Sequence, residues 1–150
     1  MAESNREAIL KAFKATLENI KTSNGFNTTV SKVERKMLAW DDPQTTPPVL
    51  MVLGGTETYD DRLGNTTVSG MKVRIRGYSK SVANPEVALN SLIRDVQIAL
   101  NSSTYNSAYY KTYRPISLDC DEGWLNMEVA GFALFELIIE VIYKFQRDNP

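Results

Sequence analysis

The sequence predicts an α+β fold: a mostly antiparallel sheet with two amphipathic helices, in the order α-β-β-β-α-β-β-β, with residues 1–150 forming one domain. Three observations carry that expectation. Two segments, near residues 5–21 and 85–100, repeat apolar residues at helical spacing. The apolar run Val49-Leu50-Met51-Val52-Leu53 lies between Pro48 and Gly54-Gly55, which is the pattern of a strand buried on both faces. Two further stretches, Met71 to Tyr78 and Phe132 to Phe145, alternate side chains at the period of a strand.

Taken in order, Ser4 and Glu7 form a capping box, each side chain satisfying a backbone N–H that the first helical turn leaves open. Ile9, Phe13, Leu17 and Ile20 supply the apolar stripe behind it, and Ser23-Asn24-Gly25 supplies the stop. Thr28 to Lys36 is β-branched at its start and reads as a strand. Asp41-Asp42-Pro43 and Thr46-Pro47-Pro48 read as an extended loop, because proline removes a donor and pushes its predecessor out of helical space. The buried strand at 49–53 follows. Residues 54–66 are polar and read as the long tip of a hairpin that carries Tyr59, Asp60, Asp61 and Arg62.

The returning strand, Thr67 to Tyr78, sets Met71, Val73 and Ile75 on one face and Lys72, Arg74, Arg76 and Tyr78 on the other. Asn84-Pro85 opens the second helix as cap and first residue, with Leu89, Ile93, Val96 and Leu100 as its stripe. Residues 101–114 show no clear period. Ile116–Leu118 and Trp124–Val129 read as strands flanking a hairpin turn at Asp121-Glu122-Gly123.

The last segment carries two periods. Glu136, Glu140 and Lys144 sit at helical spacing, whereas Ala133, Phe135, Leu137, Ile139, Val141, Tyr143 and Phe145 form an unbroken apolar face at period two. Its content of Ile, Val, Phe and Tyr favours a strand. Fourteen extended residues reach about 46 Å at about 3.3 Å each. A domain of this length is about 38 Å across. The strand is therefore expected to curve, break or reach a neighbour.

Composition narrows the function. Seventeen basic against eighteen acidic residues give a net charge of −1, which argues against a dedicated or sequence-specific nucleic-acid binder. The absence of histidine removes imidazole triads and the common zinc sites. The single cysteine, Cys120, cannot form an internal disulfide, and a reducing compartment is expected. The N-terminal residues have no apolar signal core, and Phe132–Tyr143, about 12 residues with two glutamates, falls short of the roughly 20 that a membrane span needs.

The motifs that bear on chemistry are few, and no cofactor, metal or enzymatic activity is expected. Glu34-Arg35-Lys36 has the acid-x-Lys spacing of some metal-dependent nucleases, but a hard divalent ion needs a second carboxylate close by. Asp119, Asp121 and Glu122 are too few for a calcium loop and read as a charged turn. Gly54-Gly55 has no following Lys-Ser/Thr and no helix after it, so it is not a phosphate loop. No histidine is present to activate Cys120.

The row Lys72, Arg74, Arg76 has two readings: it tracks a polyanion or acidic partner, or it pairs with Glu136 and Glu140 across strands or subunits. The slightly negative net charge favours pairing. On the terminal strand, Leu134, Ile138 and Ile142 alternate with those glutamates, a mixed surface suited to a subunit interface. A covering helix is the competing reading. Asp41, Asp42 and Tyr59–Arg62 are candidate docking loops.

With these elements in order, the chain resembles the tail terminator proteins of long-tailed bacteriophages. The resemblance rests on the opening helix Arg6–Lys21, Pro47-Pro48-Val49-Leu50-Met51-Val52 followed by Gly55-Thr56-Glu57, the strand Val68–Tyr78, the Asn84-Pro85 helix, and the closing strand ending in Tyr143-Lys144-Phe145. It covers most of the chain. It implies a non-catalytic virion protein, assembled in the host cytoplasm, that forms a ring, commonly hexameric, on the head-proximal end of the tail. The implied partners are further copies of itself, the tail tube protein and the neck or connector protein. Ring closure requires complementary rather than identical patches on neighbouring subunits. A head-completion or neck adaptor of the same virion is the alternative, and a small nuclease using Glu34 and Lys36 the more distant one.

Overall fold

The Ser4 side chain accepts a hydrogen bond from Glu7 N at 3.2 Å, so helix α1 begins at Asn5 and runs to Glu18. The computed structural model describes residues 4–39, 46–61, 66–81, 83–101, 117–122, 127–129 and 132–146. After α1 come β1 (Lys32–Glu34), β2 (Val49–Asp61), β3 (Thr66–Lys80), α2 (Pro85–Asn101), β4 (Ser117–Glu122), β5 (Met127–Val129) and β6 (Phe132–Gln146). This is the expected α+β order. The sheet order is β1-β2-β3-β6-β4, with β5 also on β6. β1 and β2 run parallel and the other pairs antiparallel.

Four boundaries differ from the sequence reading. Helix α1 stops at Glu18 instead of near residue 21, because its last turn tightens: Asn19 N donates to Thr16 O and Ile20 N to Leu17 O. A 3₁₀ turn, Thr22–Asn24, then closes on Gly25, whose φ of 88° is left-handed. The strand expected from Thr28 shrinks to Lys32–Glu34, because the backbone before it is engaged elsewhere. Asn27 N and Thr28 N donate to the Asp95 carboxylate, Val30 N to Ile20 O and Ser31 N to Pro48 O.

The supposed hairpin tip at 54–66 is mostly strand. Tyr59, Asp60 and Asp61 pair with Ser69, Val68 and Thr67, because backbone ladder bonds form whether the side chains are polar or not. Asp121 and Glu122 lie on β4 and not in a turn, and β4 and β5 both pair with β6 instead of with each other. Only residues 130 and 131 separate Val129 from Phe132, its register partner on β6.

The terminal segment is a strand over Phe132–Gln146 and stays paired with β3 from Phe132↔Lys80 to Gln146↔Thr66. Its expected overhang is absorbed by a partner of the same length. One face of the sheet takes both helices. Ile9, Phe13 and Leu17 of α1 and Leu89, Leu92 and Val96 of α2 share a buried cluster with Leu50, Val52, Met71, Val73, Ile75, Phe135, Leu137, Ile139 and Val141. Gly77 makes room for that packing, because a Cβ there would collide with the Phe135 ring and Leu50.

Candidate functional site: the outer sheet face

The face opposite the helices is built by the even-numbered residues of β3 and β6. The period-two burial along β3 puts Lys72, Arg74 and Arg76 on it, and the register sets them beside Glu140, Ile138 and Glu136. Glu136 is the centre of the charged part. Its Oε1 accepts from Arg74 Nη2 at 2.8 Å and its Oε2 from Arg76 Nε. Burial pushes the Glu136 carboxyl up, but the hydrogen bonds from Arg74 and Arg76 outweigh it and hold the group below the ordinary carboxylate value. The acidic and basic rows are thus joined within one chain at this point.

Leu134, Ile138 and Ile142 flank the glutamates and remain half-buried, as does Leu53 on β2. No described helix covers them, since the buried residues of both helices belong to the cluster on the other face. One end of the outer face is closed. Leu38, Val49, Met51 and Tyr78 form a small buried cluster with Leu53 and Leu134 against it, and Tyr78 Oη donates to Leu38 O at 2.9 Å. Tyr78 is therefore core, at 6% exposure, and not an interface residue as its position in the basic row suggested.

Between β2 and β3 the register shifts from Gly54↔Val73 to Glu57↔Met71. This bulge opens a recess of about 310 Å³ lined by Gly55, Thr56, Lys72, Arg74 and Ile138. Gly55 sits hard against β3, where a Cβ would come within 3.0 Å of Lys72 O. Arg74 Nε is buried in this wall with no acceptor among the described residues.

The bulge also turns Glu57 to the helix side. Its carboxylate accepts from Arg6 Nη1 at 3.1 Å, from Ser69 Oγ and from Tyr143 Oη, while Arg6 Nη2 donates to Gly55 O at 2.7 Å. Burial raises the Glu57 pKa, and the hydrogen bonds from Ser69, Tyr143 and Arg6 more than reverse that. Burial, together with the Glu57 carboxylate, pushes the Tyr143 phenol up, so it remains a donor. A second fastener holds the same helix end: Arg35 Nη1 and Nη2 donate to the two Glu7 oxygens at 2.8 and 3.3 Å.

Of the candidate docking residues, Tyr59 is exposed at 64% and sets its ring edge-on to Phe145, 6.1 Å between centroids. Asp60 and Asp61 belong to β2, while Asp41, Asp42 and Arg62 lie outside the described residues. Glu34 ends β1 and pairs with Lys32 Nζ at 3.7 Å, and Lys36 lies exposed beyond the strand. Among the described residues no group of three His, Cys, Asp or Glu side chains is placed to hold a metal ion, and no helix is long and apolar enough to cross a membrane.

Sequence reasoning missed the bulge, the Glu57 network and Asp95. Gly54-Gly55 interrupting a strand was the signal for the bulge. Asp95, an acid on a helix at an otherwise apolar position, was the signal for a buried carboxylate; it is fully buried and receives Asn27 N, Thr28 N and Thr28 Oγ1. The chain matches no known protein-family model and no curated protein.

Proposed function

We propose that the chain is a structural virion protein, a tail terminator that assembles as a hexameric ring at the head-proximal end of a phage tail tube. There it ends tube polymerisation and joins the tail to the neck. The observation that supports this reading is the outer sheet face, where half-buried Leu53, Leu134, Ile138 and Ile142 are interleaved with Arg74, Glu136 and Arg76 while both helices pack on the opposite side. Such a surface gains by being covered: burying the exposed part of each aliphatic side chain contributes about 25 cal/mol per Å². The ion pairs supply register more than affinity. A face of this kind meeting a different patch on the next copy gives a head-to-tail contact, the type that closes into rings.

Native mass spectrometry over a concentration series tests the reading. A closed ring, six copies in the simplest case, is the expected result. A strict monomer at every concentration, together with no association with polymerised tail tubes, overturns it.

A further inference from the structure

The strands β3 and β6 set five cations outward (Lys72, Arg74, Arg76, Lys80 and Lys144) against two carboxylates, Glu136 and Glu140. That is three units of positive charge on a chain whose total is −1, so the rest of the chain carries four units of negative charge. The surplus is not evenly spread. Glu136 is already saturated by Arg74 Nη2 and Arg76 Nε, and Lys80 lies over the Phe132 ring, 4.9 Å from its centroid. Lys72 and the remaining edge of the Arg74 guanidinium converge on the recess that the β2 bulge opens, floored by Ile138 and the Gly55 backbone. In that wall Arg74 Nε is a buried donor with no acceptor among the described residues, a cost of about 1–3 kcal/mol that an incoming oxygen would remove.

We propose that this recess receives a carboxylate side chain from a second copy of the chain, with Lys72 and Arg74 completing the ion-pair network across the subunit boundary. The inference rests on the ring reading above and adds the anchoring chemistry to it. Its size fits: about 310 Å³ holds a side chain and its immediate flanks, not an extended ligand. The occupant is argued from charge, because a copy of the same chain brings four units of negative charge outside this face and meets an apolar margin of Leu53, Ile138 and Ile142. The bulge has a role in this arrangement, since regular pairing at Gly54–Glu57 would fill the recess with β2 itself.

The test uses the full-length protein, with Lys72→Gln and Arg74→Gln each compared with the parent by native mass spectrometry at rising salt, and circular dichroism as the folding control. Each variant is expected to raise the dissociation constant of the oligomer on the order of tenfold, with a shallower salt dependence. Independently of any variant, a carbodiimide that joins amines to carboxylates without a spacer is applied to an equal mixture of isotope-labelled and unlabelled protein. Cross-links from Lys72 to an acidic peptide carrying the other label are expected. An intact ring whose dissociation is unchanged in both variants, and whose Lys72 cross-links are all within one label, overturns this inference and leaves the ring reading standing. A monomer at every concentration overturns the inference, and the ring reading falls with it if tail tubes also fail to bind. Variants that lose binding to a short DNA duplex while oligomerising normally would reassign the row to a polyanion.

Discussion

At the scale of single residues, the fold depends on polar side chains that stand where the pattern calls for apolar ones. Asp95 lies on the inner side of α2 and is fully buried, yet its carboxylate replaces strand pairing for the segment before β1 by accepting Asn27 N at 3.2 Å, Thr28 N at 2.7 Å and Thr28 Oγ1 at 2.6 Å. Arg94 Nη1 approaches it to 3.8 Å from the solvent side. Removing the acceptor leaves these donors to water that reaches them only in part. Asp95→Ala is expected to cost about 1–3 kcal/mol in chemical denaturation, with Thr28→Ala recovering only part of that loss. A denaturation midpoint unchanged in Asp95→Ala would remove the carboxylate from the account of why the strand is short. Glu57 is the same kind of residue, an acid at a strand position whose side chain the bulge delivers to Arg6, Ser69 and Tyr143.

At the scale of elements, α1 is held by one apolar stripe and two ionic fasteners at its first turn. Phe13 and Leu17 are fully buried against the sheet, while Arg6 reaches Glu57 and Glu7 meets Arg35. The apolar stripe dominates, because the ion pairs are partly exposed and pairs of that kind contribute little each. Phe13→Ala is expected to cost about 3–5 kcal/mol in thermal or denaturant unfolding. A loss below about 1 kcal/mol would mean that this side chain is not the centre of the helix–sheet contact. The stripe was legible in the sequence because a helix repeats it several times. The end of the helix was not, because Glu18 and the residues after it differ in the hydrogen bonds they make and hardly in type.

At the scale of the whole molecule, three carboxylates of separate elements all have lowered pKa values. The Arg35 hydrogen bond lowers that of Glu7, and at Glu57 and Glu136 burial opposes the shift while their donors prevail. A depressed folded pKa gives stability that is complete above the ordinary carboxylate value of 4.5 and is lost as pH falls through the lower folded values. The melting temperature is therefore expected to hold steady above that value and to decline below it, and a Glu57→Gln, Glu136→Gln double variant should flatten the decline. A wild-type melting temperature rising as pH falls from 4.5 would contradict the assignment. Glu136 sits on the outer face, so the same protonation changes the charge that this face presents, while Glu57 acts only on the fold.

What the sequence determined by itself was whatever repeats. The two helical stripes, the buried run at Val49–Leu53 and the period-two face of the terminal strand each restate one burial requirement over many positions, so a few polar residues do not erase it. The pairing of the basic row with Glu136 was also legible, because alternation puts both on one face. Tertiary structure alone decided what depends on register and on one-off contacts. It turned the polar stretch to Asp61 into strand by pairing it with β3, opened the recess by shifting that pairing between Gly54 and Glu57, and withdrew Tyr78 into a cluster beneath Leu38. It also placed β4 and β5 on β6 instead of against each other. The physical reason is the same in each case: a side chain's period is set along the chain, whereas its partner is set across the sheet by residues tens of positions away.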